Sequence, residues 1–448
     1  MADLFPTLRR FRSAGLVAGA ALLAACGGPP PAADTLVLVS IDTLRPDRLG
    51  CYGGSRPTSP RLDALCAESV VFEQAIAAAP STLPSHATLL TGLSPLRHGA
   101  SMSRRRALPA EIETVAERLA AAGFRTASFN DGGQVDARWG LDQGFEVYRS
   151  FESDLLAPIV DAGLAWLDEV RAADPDGRVF LFLHTYQVHH PYRPRARDLA
   201  ALGAAPYDGA LGPTVGYREL LRINRQRLLP APEDLAFIDD AYDAEIRDMD
   251  RALGRLLDGL AERGLGRRLA LVFTSDHGEE MGEHGWWGWH SHTLYDELLR
   301  VPLVVRRPGG RSGGTRIAYQ ARGVDVAPTL LALAGLEAPP GLDGTDLLAL
   351  VEGGEPAATR FAVAEIDGGA ARALRSRRWK LYGDDLYDLV ADPAERYDVA
   401  GRRPDVAGAL ADRLARAVAE SREAAPGEAP VTLDPEAVER LRALGYLQ

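Results

Sequence analysis

Four apolar runs of strand length recur along the chain, and three of them lead directly into residues able to bind a cation. The runs are TLVLVSID (35–42), FRTASFN (124–130), VFLFLHT (179–185) and LALVFTSD (269–276). Their β-branched content and weak polar alternation predict strands buried on both faces, as in a parallel sheet. VPLVVRR (301–307) is read as a fifth. Between the runs lie helical patterns: SPRLDALCAES, ETVAERLAAAG and the long amphipathic YDAEIRDMDRALGRLLDGLAERG, which is stopped by glycine. That alternation predicts a doubly wound α/β sheet. Ligand sites in such sheets lie at the carboxyl ends of the strands. Here one strand ends on Asp42, another on Asp276 with His277 next, and a third runs out through His184 to His189.

After about residue 355 the pattern changes. FAVAEI, RALRSRRWKLY and DDLYDLV predict short antiparallel strands, and PDVAGALADRLARAVAES a helix. The expected organisation is a catalytic domain over 35–354, a small α+β subdomain over 355–425, and a linker with a terminal amphipathic helix over 426–448. The net charge of −12 excludes a basic nucleic-acid-binding surface. The 50 basic residues are arginines except for Lys380.

Residues 1–25 read as an export signal. Arg9, Arg10 and Arg12 precede a short apolar stretch of small residues. Leu23-Ala24-Ala25-Cys26 resembles the lipobox of bacterial lipoproteins, which implies cleavage before Cys26 and a lipid on its sulfur. Residues 26–34 would be a flexible tether, with the protein held on an envelope membrane and facing the periplasm or exterior. An ordinary signal peptide that happens to contain a cysteine also predicts export. Cys51 and Cys66 could pair in an oxidising compartment, but their apolar neighbours favour two small buried residues.

STLPSHATLLTG (81–92) fits a helix start, with Ser81 or Thr82 as cap, Pro84 in the first turn and Gly92 at the end. The same Thr82 hydroxyl is a candidate nucleophile. SIDTLRPDRLGCYG, STLPSHATLLTG, HTYQVHHPY, YDAEIRDMDRALGRLL, FTSDHGEEMGEHG and TLYDELLRVPLVV stand in the order seen in the sulfatase family of the alkaline phosphatase superfamily. DLYDLVADPAERYDVA resembles that family's C-terminal subdomain, so the resemblance covers nearly all of 35–425. It implies an alkaline-phosphatase-like fold and a divalent metal among Asp42, Thr82, Asp276 and His277. Two carboxylates and an imidazole suit zinc, with manganese or calcium as alternatives.

The departures from that family matter as much. Sulfatases carry Cys or Ser at position 82, oxidised to formylglycine; threonine has a methyl on its β-carbon and cannot form that aldehyde. His86 stands where the family has Arg, and Thr43 where it has a second Asp. The family's sulfate-binding lysines have no counterpart near these motifs. A threonine nucleophile does occur in the superfamily's phosphodiesterases and phosphoethanolamine transferases. His184 and His189 resemble the transferases' His-x4-His segment, and His290 resembles another of their site histidines. Thr82, His189 and His290 are therefore expected to be catalytic. His184, His189, His290 and His292 are expected to hold a second metal or an anion. One residue inserted before Tyr295 leaves open whether His290 or His292 faces the site. The expected activity is hydrolysis of an anionic phosphate ester through Thr82. The alternatives are phospho-group transfer to an envelope glycan or lipid, sulfuric ester hydrolysis without formylglycine, and an inactive binding module.

Overall fold

The computed structural model describes residues 32–354, 359–423, 427 and 429–446. The export signal, Cys26 and most of the expected tether lie outside the described residues. Ala33 is buried and its N–H donates to the Leu333 carbonyl, which ties the chain to the main body just before the first strand.

The strands of the main sheet are β1 (Thr35–Ile41), β2 (Val70–Ile76), β3 (Phe124–Asn130), β4 (Val147–Ser150), β5 (Arg178–Thr185) and β6 (Leu269–Ser275). A small two-stranded ribbon, β7 (Glu280–Met281) and β8 (Trp287–Trp289), follows, and the main sheet resumes with β9 (Arg300–Arg306), β10 (Arg316–Ile317) and β11 (Ala321–Arg322). The order across the sheet is β10-β2-β9-β6-β1-β5-β3-β4, with β11 beside β2. β1, β3, β4, β5 and β6 are mutually parallel. Alternate residues of the central strands enter two cores. Val37, Val39, Leu181, Leu183, Leu271 and Phe273 face the helices Leu156–Ala173 and Pro232–Glu262. Leu36, Leu38, Phe180, Phe182 and Val272 face the helices Thr82–Thr91 and Val326–Leu333. Both faces are covered, which is why these strands read as continuous apolar runs.

Three sequence expectations are corrected. VPLVVRR forms β9, but it runs antiparallel to both β6 and β2. A strand buried on both faces carries no record of its direction, and the missed strand VVFEQAI (β2) is its other neighbour. The long helix starts at Pro232, ten residues early, because Pro232 sits in its first turn and Asp234 accepts from the Ala231 N–H at 2.8 Å. Cys51 and Cys66 form a disulfide, with Cα atoms 6.4 Å apart, rather than two separate thiols.

The C-terminal sheet is antiparallel, in the order β12 (Ala362–Glu365), β13 (Arg372–Arg375), β14 (Trp379–Tyr382) and β15 (Asp385–Asp388). The helix Pro404–Glu423 places Leu410 against Leu374, Leu381 and Leu386. The terminal helix Pro435–Ala443 returns to the main body and buries Leu441 in the core that holds the helix Thr82–Thr91. Among the described residues no helix is long and apolar enough to cross a membrane.

Candidate active site

Sheet register assembles the site. Ile41 pairs with Thr185 on one side and Ser275 on the other, so Asp42, Tyr186 and Asp276 leave the sheet at one level. His184 lies one residue earlier, beside Ser40. His277 follows Asp276, and Gly278 allows the turn: a Cβ there would lie 1.9 Å from the Glu297 carbonyl oxygen. Thr43 takes a left-handed φ of 56°, an uncommon conformation for a β-branched residue, and its N–H reaches Asp276 Oδ1 at 3.3 Å.

Ser81 is the N-cap of the helix Thr82–Thr91, yet its side chain makes no capping bond, and the Thr82 hydroxyl does not cap either. The Leu83 N–H is satisfied instead by Gln134 Oε1 at 3.0 Å. Thr82 Oγ1 donates to Asp42 Oδ2 at 3.0 Å and lies 3.5 Å from His277 Nε2. This hydroxyl is freed from local structure and aimed at the carboxylates.

Asp42, Asp276 and His277 present ligand atoms close enough to share one metal ion. Among the described residues, the buried Asp42 Oδ1 and Asp276 Oδ2 have no hydrogen-bond partner. Two orphaned carboxylate oxygens facing an imidazole leave a cation as the group that would satisfy them. Burial pushes the Asp42 carboxyl up to about 6, against the opposing pull of His277 and the Thr82 hydrogen bond. Asp276 is raised by burial and by Asp42. Burial would lower His277, but Asp276 and Asp42 outweigh it and its pKa is raised. His277 Nδ1 lies 2.9 Å from the Gly278 carbonyl, which leaves Nε2 to face the cluster.

The other expected residues divide. Both ring nitrogens of His184 and the Nε2 of His189 are buried without partners among the described residues. Burial drives their pKa values down, to about 4 and about 3 respectively. His290 faces the site: its ring centre is 4.8 Å from that of His277 and 4.9 Å from that of His189. His292 does not join them. It packs on Trp286 at 4.4 Å and lies 3.1 Å from Glu280 Oε2, with a quarter of its side chain exposed. His86 is engaged at both nitrogens, with the Thr82 carbonyl at 2.9 Å and Ser40 Oγ at 3.0 Å. It braces the helix Thr82–Thr91 and offers no free ligand atom, although it lies near His184 and Asp276.

Three residues absent from the sequence reading complete the site. Glu279, pushed up to about 7 by burial, lies 2.8 Å from His290 Nδ1 and accepts from Tyr192 at 3.0 Å. Its place two residues after His277 was the available signal. His190 stacks with Trp289 and Tyr217. Tyr446, from the far end of the chain, sets its hydroxyl 3.0 Å from Thr82 Oγ1.

Comparison with known proteins now decides the family. The Sulfatase family model matches residues 34–336, and the model for the C-terminal part of N-sulphoglucosamine sulphohydrolase matches 282–423. The chain belongs to the sulfatase family. It is thus a sulfatase-family hydrolase of the alkaline phosphatase superfamily. An ulvan-active sulfatase of Formosa agariphila is 26% identical, over 83% of this chain and 78% of that protein. An N-acetylglucosamine-6-O-sulfatase of Bacteroides thetaiotaomicron is 24% identical, over 85% of each. Among solved structures, the phosphonate monoester hydrolase of Agrobacterium radiobacter shares the fold with a TM-score of 0.67 and 22% identity, over 86% of this chain and 96% of that one. A protein bound to its substrate D-glucosamine-2-N,6-O-disulfate gives a TM-score of 0.72 at 19% identity, over 88% and 99%.

Proposed function

We propose that this family member hydrolyses anionic phosphate esters through a covalent intermediate on Thr82, without formylglycine. The observation that carries the reading is Thr82 Oγ1 donating to Asp42 at the centre of the Asp42/Asp276/His277 set. Asp42, Thr82, Asp276 and His277 would hold one divalent metal, zinc by the imidazole and by Thr43 standing where a second carboxylate would favour calcium. Bound there, the ion supplies a lowered hydroxyl pKa and neutralises charge on the transferred group. Asp42 orients the Thr82 hydroxyl. His184 and His189, with unpaired nitrogens, offer hydrogen bonds to the non-bridging oxygens of a phosphoryl group, and His290 is held in place by Glu279. Lys380 is engaged elsewhere, buried between Asp296 and Glu395.

A second reading, sulfate ester hydrolysis by the same Thr82 attack, is supported by the sulfatases among the relatives. The lipobox-like segment at Cys26 supports export and a lipid anchor in either case. The zinc-loaded protein assayed on 4-nitrophenyl phosphate, bis(4-nitrophenyl) phosphate and 4-nitrophenyl sulfate separates the readings. Phosphate esters should be turned over fastest. Turnover of the sulfate alone would replace the first reading by the second. Thr82→Ala should lose several orders of magnitude with an unchanged melting temperature. A destabilised but active Thr82→Ala would end the nucleophile role.

A further inference from the structure

The last described residue of the chain touches the reacting atom. Tyr446 lies some 360 positions after Thr82 in sequence, yet its hydroxyl stands 3.0 Å from Thr82 Oγ1, and its ring centre is 5.6 Å from that of His189 and 5.8 Å from that of His290. The segment that brings it there is firmly built. Asp434 caps the terminal helix through the Ala437 N–H at 2.8 Å and pairs with Arg138 at 2.9 Å. Arg440 binds Asp154 at 2.6 Å and the Asp131 carbonyl at 3.1 Å. Leu441 and Leu444 are buried. Gly445 then turns the chain with φ +83°, where a Cβ would press on Tyr217 at 2.7 Å and on His190 at 3.0 Å. The Tyr446 N–H returns to the Leu441 carbonyl at 2.8 Å. These contacts hold the phenol beside Thr82 Oγ1.

The Thr82 hydroxyl has one proton and two lone pairs. The proton goes to Asp42 Oδ2, so the phenol is the donor in the contact with Tyr446; the second lone pair is the one a metal would take, and departure of the proton frees the pair that attacks. An enzyme with a plain hydroxyl nucleophile has a difficulty at its second step. The covalent threonyl ester must release Oγ1 as an alkoxide-like leaving group, which is poor unless charge on that oxygen is stabilised. We propose that Tyr446 is a catalytic residue that donates its hydrogen bond to Thr82 Oγ1 as the covalent intermediate breaks down. The inference rests on the Thr82 reading given above. In the first step the bond from Oγ1 to phosphorus (or sulfur) forms, the ester's leaving oxygen departs with the electron pair, and the threonine proton ends on the released alcohol. In the second, the oxygen of water bonds to the same atom and the bond to Oγ1 breaks with its electron pair returning to Oγ1. One water proton ends on Oγ1 and the other stays on the hydrogen-anion product. Tyr446 keeps its own proton throughout.

The test uses Tyr446→Phe in the zinc-loaded full chain, on whichever 4-nitrophenyl ester the parent enzyme turns over. Removing a donor aimed at developing charge should slow steady-state turnover about 100-fold. Because bond formation to Thr82 is spared, nitrophenol should appear as a burst matching the enzyme concentration. Mass spectrometry of quenched enzyme should find one phosphoryl or sulfuryl group on the Thr82 peptide. A chain ending at Gly445 removes the phenol without introducing a side chain and should behave alike. Unchanged turnover in Tyr446→Phe overturns the inference, and so does slower turnover with neither burst nor adduct. Failure of the Thr82 reading is distinct: an active Thr82→Ala sinks the nucleophile whatever Tyr446→Phe does. An inactive Thr82→Ala beside a burst-free Tyr446→Phe sinks only the role of Tyr446.

Discussion

Two buried charged clusters, both built on aspartates that follow strands or start helices, are treated in opposite ways by this fold. At the C-terminal subdomain, Asp296 receives Arg375 at 2.7 Å and Lys380 at 3.1 Å, and Lys380 also reaches Glu395 at 2.8 Å. Burial would raise Asp296, but Arg375 and Lys380 outweigh it and hold the carboxyl well below its ordinary range. At the candidate active site, Asp42 and Asp276 are more deeply buried than Asp296, yet they keep orphaned oxygens and raised pKa values. The first cluster carries its own counter-charges and fastens the small sheet to the large one. The second has the His277 imidazole but no Arg or Lys, and two of its carboxylate oxygens have no hydrogen-bond partner among the described residues. A buried carboxylate is thus structural or functional according to whether protein supplies its partner.

The largest expected effect breaks the second cluster. Asp276→Asn should reduce turnover by about 10³-fold or more, since several kcal/mol of charge stabilisation would leave with the metal. The metal-free variant should melt no lower than the metal-free parent, because the change removes a buried charge whose Oδ2 has no hydrogen-bond partner among the described residues. A lowered melting temperature with normal turnover would reverse the assignments of the two clusters.

Lys380→Met attacks the other cluster. It strands Glu395, while Asp296 keeps Arg375, and should destabilise by about 3–5 kcal/mol. Turnover per folded molecule should remain near that of the parent. Denaturant unfolding beside active-site titration checks both halves.

Why one cluster was legible in the sequence and the other was not follows from the same contrast. Asp42, His184, Asp276 and His277 could be found because each sits at the end of an apolar run, and parallel pairing in register brings such ends together. Thr82 was legible as a helix start, and the family resemblance supplied its second role. Asp296, Arg375, Lys380 and Glu395 come from segments whose meeting depends on how two sheets pack, which no local pattern records. Tyr446 escaped for a similar reason. LDPEAVERLRALGYL reads correctly as an amphipathic helix, but nothing in its periodicity says which groove receives it. The direction of β9 was hidden by burial on both faces, and the pairing of Cys51 with Cys66 by their separation in sequence and equally apolar settings.

A moderate effect sharpens the comparison through pH. The folded Asp42 carboxyl, at about 6 against an ordinary 3.8, binds its proton more tightly than the unfolded chain does. For this group the metal-free protein is therefore most stable below the unfolded value. It loses that stability as pH rises through about 6. A metal competes with the proton, so the rise in melting temperature on adding zinc should grow as pH rises through about 6 and keep growing beyond it while His277 deprotonates. The raised His277 acts in the same direction, since it too must give up its proton to bind. Asp296, being depressed, contributes the opposite sign: its stabilisation is present above the unfolded value and is lost only as pH falls through the lower folded one. Paired melts with and without zinc across pH 5–8 read the metal-linked groups, because Glu395 and other carboxyls that zinc does not touch contribute equally to both melts. A zinc increment independent of pH would show that Asp42 is not a ligand.

The smallest effect comes from two histidines that the sequence left undecided. His290 lies against His277 and His189 and is oriented by Glu279. Removing its ring by His290→Gln should cost about 100-fold in turnover, the order expected for a donor aimed at a transferred anionic group. His292 points away, 3.1 Å from Glu280 and against Trp286, so His292→Gln should stay within about twofold. The pair tests whether geometry or mere clustering confers function, because the two residues are separated in sequence by Ser291 alone. Ser291 takes φ +71°, and that single left-handed residue turns the chain so that consecutive histidines face different surroundings. Equal losses in the two variants would mean that the turn does not separate them in the working enzyme, and that Glu280 belongs with Glu279 as a second support for the site.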